Sequence, residues 1–223
     1  MVRQVLNYHD VQLYDTDVQL FPTHQWLNDN AVNFYFQYLY HTVCLPAARS
    51  DVLLMDPAVV SCMMLQCDGD DEYEDLGRGL GVAHKSLCLI PVNDNQAFDQ
   101  ESSHWSLLVY RKGRFTHYDS SAGHNTSAAK RIAKNFLRLL NVCGAHEIPP
   151  WSTECFRNAT DAPQQKNGYD CGMYLLVTAE FVCRNYIAPI KQSLHEYVTP
   201  ARITSLRQEI PVIVDRLIEE ESS

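Results

Sequence analysis

Apolar positions recur along this chain at two different periods, and the change of period divides it. Within residues 26–40, Val32, Tyr35, Phe36 and Leu39 fall at i, i+3, i+4 and i+7, which predicts an amphipathic helix ending ahead of Pro46. A shorter helix is expected over 57–65. After it, Gly69, Gly77, Gly79 and Gly81 within a run of acidic side chains predict a long loop. Any boundary between lobes belongs there, giving one domain with an N-terminal helical lobe over 1–85 and a sheet-bearing core over 86–223.

The middle of the chain reads as buried strands: 87–92, 106–110 and 114–118 are short apolar runs bounded by turn residues. Lys112-Gly113 joins the last two in a tight hairpin. Asn125 or Thr126 can then cap a helix whose stripe is Ala129, Ile132, Ala133, Phe136, Leu137 and Leu140, with Lys130, Arg131, Lys134 and Arg138 outside. Beyond a Pro-containing loop at 149–163, Cys171 opens a segment that is apolar nearly all round from 173 to 183, as a central buried helix would be. From Pro200 the pattern is helical again. Helices, then strands, then helices make an α+β domain around a central mixed sheet.

Bulk properties narrow the function classes. At 223 residues and 25.5 kDa the chain can bury a full core. No run of about 18 apolar residues suggests a membrane span, and Asp10, Asp15 and Asp17 interrupt the region where a secretory signal would be apolar. A formal charge of −9 argues against a nucleic-acid surface and for a basic partner. Acidity peaks at Asp68, Asp70, Asp71, Glu72, Glu74 and Asp75, either a solvated loop or a steering element for a cationic protein. The eight cysteines show no small-domain disulfide spacing, so they read as reduced thiols of a cytoplasmic or nuclear protein. A zinc site from Cys62 and Cys67, or from Cys143 and His146, is disfavoured: Cys62 lies in an apolar run and a second matching pair is missing. Neither metal nor cofactor is expected.

The candidate chemistry begins at the hairpin. A turn centred between Arg111 and Gly113 sets His104 beside Asp119 or Ser120 at the open end. An aspartate accepting from one imidazole nitrogen leaves the other as a base, although a surface pair of no consequence is the blander reading. Cys171 stands where a polar, Gly-bearing loop meets a buried helix, and the helix dipole there favours the reactive thiolate. Gly172 leaves room for a substrate backbone. Gln165, six residues ahead of the thiol, can donate to a developing oxyanion, with Gln164 as the alternate. Together these fill the roles of acyl transfer through a thioester.

The same residues resemble the sentrin/ubiquitin-like-protein proteases, the Ulp family: WLND at 26–29, HWSLLVY at 104–110, HYDS at 117–120 and QQKNGYDCGMY at 164–174. The resemblance runs from 11 to 204 and implies a papain-like or adenain-like fold. HWSLLVY, Tyr169 and TPARIT at 199–204 resemble the branch that removes the neddylation (Rub-type) modifier more than the SUMO branch. It implies that Trp26 and Trp105 close over the modifier's C-terminal Gly-Gly and that Asp29 hydrogen-bonds the modifier, where core packing would otherwise explain both tryptophans. It implies also that Asn93-Asp94-Asn95 belongs to a loop that shifts on substrate binding. Expected partners are the modifier and its conjugates, such as cullins, met by a monomer without cofactor. A SUMO protease, an acyltransferase and a non-catalytic modifier-binding module are the rival readings.

Overall fold

The computed structural model describes residues 2–94, 103–144 and 151–221. The chain opens with a hairpin of β1 (Gln4–Tyr8) and β2 (Val11–Tyr14) and a single turn, α1 (Asp15–Val18). Helix α2 (Asp29–Leu39) starts where the Asn28 side chain accepts from the Ala31 N–H at 2.9 Å. After β3 (Val52–Leu54), α3 (Pro57–Leu65) is capped by Asp56, with proline in its first turn. There follow α4 (Asp70–Leu80), β4 (Leu87–Asn93), β5 (Trp105–Arg111), β6 (Arg114–Tyr118), α5 (Thr126–Val142) and β7 (Phe156–Asn158). The chain closes with α6 (Cys171–Ile187), α7 (Leu194–Tyr197) and α8 (Pro200–Glu221).

Strands β3 to β7 form a five-stranded mixed sheet in sequential order. The two outer pairings, β3 with β4 and β6 with β7, are parallel; the two inner ones are antiparallel. Both faces are covered. Leu87, Leu89, Leu107 and Val109 pack into the core shared with α2, α6 and α8. Cys88, Ile90, Val92, Leu108, Tyr110 and Phe115 join the core formed with α3 and α5. Burial on both sides is why these strands read as unbroken apolar runs.

The expected acidic loop is instead the helix α4. Asp70, Asp71 and Glu72 occupy its first turn, where the helix dipole favours negative charge, and Glu72 accepts from the Gly69 N–H at 2.6 Å. Tyr73 is buried beneath it. Gly77 marks close packing rather than a loop, since a Cβ there would come within 2.3 Å of the Cys143 sulfur.

The β5–β6 hairpin has the expected turn: Lys112 and Gly113 take φ of 49° and 75°, the left-handed pair of a type I′ turn. Its register pairs Arg111 with Arg114 and Leu107 with Tyr118, so positions 104 and 119 emerge together at the open end.

Candidate active site

His104 precedes β5 and Asp119 follows β6, and both side chains are buried. Asp119 Oδ1 accepts from His104 Nε2 at 2.6 Å and from the Ser121 N–H at 2.9 Å. Its Oδ2 accepts from the Asn125 N–H at 3.0 Å. Burial pushes the Asp119 carboxyl up, but these donors outweigh it and hold the group below the usual carboxylate range. On His104, burial opposes the charge, yet hydrogen bonds with Asp119 and with Cys171 raise its pKa to about 9. With Nε2 taken by Asp119, Nδ1 is the nitrogen left for the Cys171 thiol.

A neutral network supports this pair. His117 is 1 % exposed and bonds Asn158 through Nδ1 and Ser106 through Nε2, each at 2.9 Å. Burial lowers its pKa, so it serves as an uncharged strut. Asn125 stands at the helix start as expected but makes no side-chain cap. Its Nδ2 donates instead to the His104 carbonyl at 3.0 Å and to Ser106 Oγ at 3.1 Å. The residue expected to cap α5 thereby fixes the backbone of the histidine.

Cys171 is the first residue of α6 and is buried. The two glutamines before it differ. Gln164 is fully engaged: Nε2 donates to the Asp119 and Ala162 carbonyls at 2.9 and 2.8 Å, and Oε1 accepts from the Ala122 N–H at 2.9 Å. Gln165 accepts from Ser120 Oγ at 2.7 Å and donates to the Asn167 carbonyl at 2.6 Å. Those bonds anchor Gln165 beside Ser120, the residue after Asp119, and leave one amide hydrogen for a ligand.

The turn carrying the thiol is held from a distance by Arg207 of α8, a residue that no sequence pattern singled out. Its buried guanidinium donates to Asp170 Oδ1 at 2.8 Å and to the Tyr169 carbonyl at 3.2 Å. It also donates to the carbonyls of Leu20, Phe21, Thr23 and Gln25 at 2.9 to 3.3 Å. One side chain thus ties the segment leading into Trp26 to the segment leading into Cys171.

The two tryptophans part company. Trp105 is 3 % exposed and donates to the Leu27 carbonyl at 2.7 Å, whereas Trp26 is 49 % exposed and donates to the Gly168 carbonyl at 2.5 Å. Only Trp105 fits the core-packing reading. Asp29 sits half-buried in the first turn of α2; burial and then neighbouring Asp56 raise its pKa, and among the described residues it bonds to none of the triad. The space beside Gly172 is filled by Leu27, whose atoms lie 3.0 Å from where a Cβ would stand, so that glycine admits the protein's own side chain rather than a substrate backbone. Asp94 accepts from the N–H groups of Ser103 and His104; Asn95 lies outside the described residues, as does His146. Among the described residues no three metal-binding side chains converge, and no helix is long and apolar enough to cross a membrane.

A buried carboxylate, an imidazole charged by it and a thiol at a helix N-terminus can together perform nucleophilic acyl transfer. Residues 25–220 match the family model described as "Ulp1 protease family, C-terminal catalytic domain". NEDD8-specific protease 1 of Arabidopsis thaliana is 30% identical over 99% of this chain and 96% of that protein. Sentrin-specific protease 8 of Homo sapiens is 32% identical over 92% of this chain and 93% of that protein. The solved C-terminal Ulp1 protease domain in complex with Smt3, the yeast ortholog of SUMO, shares the fold at a TM-score of 0.69, covering 96% of this chain and 89% of that one at 18% identity.

Proposed function

This chain belongs to the Ulp1 protease family of ubiquitin-like-protein-specific cysteine proteases, and we propose that its substrate is a NEDD8-type modifier, cleaved after the C-terminal Gly-Gly. Cys171, its thiol proton passed to His104, attacks the carbonyl carbon of the terminal glycine. The tetrahedral oxyanion is held by the Gln165 amide and the Cys171 N–H. Imidazolium His104 gives its proton to the departing amine, leaving a thioester that water, deprotonated by His104, then hydrolyses. Asp119 keeps His104 oriented and charged. Trp26 and Trp105 flank the diglycine, and Asp29 bonds the modifier body.

The observation that carries this reading is the line from the Asp119 carboxylate through His104 to the Cys171 thiol. The choice of modifier is supported by the relatives named for NEDD8. Precursor maturation and release from conjugates such as cullins use the same chemistry, in a monomer of 25.5 kDa. Eight free thiols suit a cytoplasmic or nuclear setting.

Probes carrying a C-terminal electrophile on NEDD8, SUMO and ubiquitin test this with wild type and Cys171→Ala. Labelling by the NEDD8 probe alone, lost in the variant, is expected. Preferential capture of SUMO would overturn the substrate, and retained labelling in the variant would overturn the nucleophile.

A further inference from the structure

The β5–β6 hairpin has a second end. Six residue steps along β5 from Trp105, about 20 Å away, its tip borders a cleft of about 560 Å³ whose far wall is the C-terminal half of α6. Arg111, Lys112 and Arg114 of the tip and Arg157 of β7 line this cleft, against Glu154 as its one acidic residue. In a chain with 18 basic and 27 acidic side chains, this is a local inversion of charge.

The fold gains little from it. Arg111 and Arg114 are paired directly across the hairpin, where like charges destabilise. Lys112 occupies a left-handed turn position, at φ 49°, that Asn, Asp or Gly fills at lower cost. Among the described residues none of the four cations is ion-paired. Two are nevertheless held in place. The Arg111 guanidinium lies 4.8 Å over the Tyr186 ring, which is itself fixed by its hydroxyl donating to Asp51 at 2.5 Å. Arg157 Nε donates to Thr116 Oγ1 at 3.1 Å, and among the described residues no bond occupies its terminal N–H groups. Guanidinium groups ordered in this way are suited to bidentate capture of carboxylates. The floor between them is apolar and aromatic, with the half-buried rings of Tyr118 and Phe181 beside Val182.

We propose that this cleft docks an acidic peptide segment of a partner protein, one in which Glu or Asp alternates with aromatic side chains. The aromatic floor and the limited volume favour a peptide over a nucleic acid, which the chain's overall charge repels. The site lies remote from the thiol and stands whichever modifier the active site takes.

The test is fluorescence anisotropy on the whole chain with a short labelled peptide alternating Glu and Phe, its Gln-for-Glu analogue and a single-stranded oligonucleotide. Saturable binding of the Glu peptide alone is expected, weakened about tenfold in Arg114→Glu/Arg157→Glu with the thermal midpoint unchanged. Should that variant misfold, Arg114→Gln/Arg157→Gln must weaken binding in the same direction. Equal affinity in a folded variant, equal binding of the Gln analogue, no saturable binding, or tighter binding of the oligonucleotide would each overturn the proposal.

Discussion

The two sides of the active cleft are built on different length scales. On one side, His104 and Asp119 are 15 residues apart and meet because a two-residue turn sets the register of one hairpin. On the other, Cys171 and Trp26 are brought together by Arg207, whose bonds to residues 20–25 span 182 to 187 positions. The first side is specified by neighbours in sequence and held at the ends of two paired strands of the sheet. The second depends on docking of the C-terminal helix, so its geometry is a property of the whole fold. Damage to the first should show in chemistry, and damage to the second in stability.

Asp119→Asn gives the largest effect on the local side. Loss of the orienting carboxylate lowers kcat by roughly 10⁴-fold, read with a fluorogenic modifier substrate. A loss under tenfold would mean that the hairpin does not hold the base. Arg207→Met strikes the distant side: it strands the Asp170 carboxylate and several carbonyls, costing about 3–5 kcal/mol by denaturant unfolding. A cost below 1 kcal/mol would show that the two segments are held by other means.

The glutamines sharpen the contrast between chemistry and support. Gln165→Ala should reduce kcat by about 10²–10³-fold, whereas Gln164→Ala should chiefly lower stability, by about 1–3 kcal/mol. An inverted result would move the oxyanion role to Gln164. The smallest effect lies in pH. Because the folded pKa of His104 is raised, to about 9, its stabilising contribution is complete below about 6.5 and is lost as pH rises through that folded value. Asp119, with its pKa lowered, stabilises above the ordinary carboxylate range and ceases to as pH falls through its depressed value. The alkaline limb of the rate profile should therefore fall near 9, and in Asp119→Asn it should move toward 6.5; an unmoved limb would detach it from this pair.

What could be read in the sequence follows the same division. Helices α2, α5 and α6 and the β5–β6 turn declare themselves through periods and turn chemistry within a few residues, and so do the positions of His104, Asp119 and Cys171. Helix α4 escaped because four glycines and a run of acids resemble a loop locally. Only its packing on α5 shows that Gly77 is spaced for Cys143 and that the acids suit a helix N-terminus. Strands β3 and β7, three residues each, are too short to carry a period. Arg207 has no local signature, and the cap signature of Asn125 points to the wrong bond, since the partners of both side chains lie on segments that only the completed fold brings near.

Trp26 has a further consequence. Its indole stands half in water while its N–H is tethered to the Gly168 carbonyl, three residues ahead of the thiol. The protein therefore contains its own optical probe: whatever covers that ring transfers it from water to an apolar contact and moves its emission to the blue. If the modifier covers Trp26 as proposed, its binding can be followed by ultraviolet fluorescence on unlabelled protein, even in variants that no longer turn over.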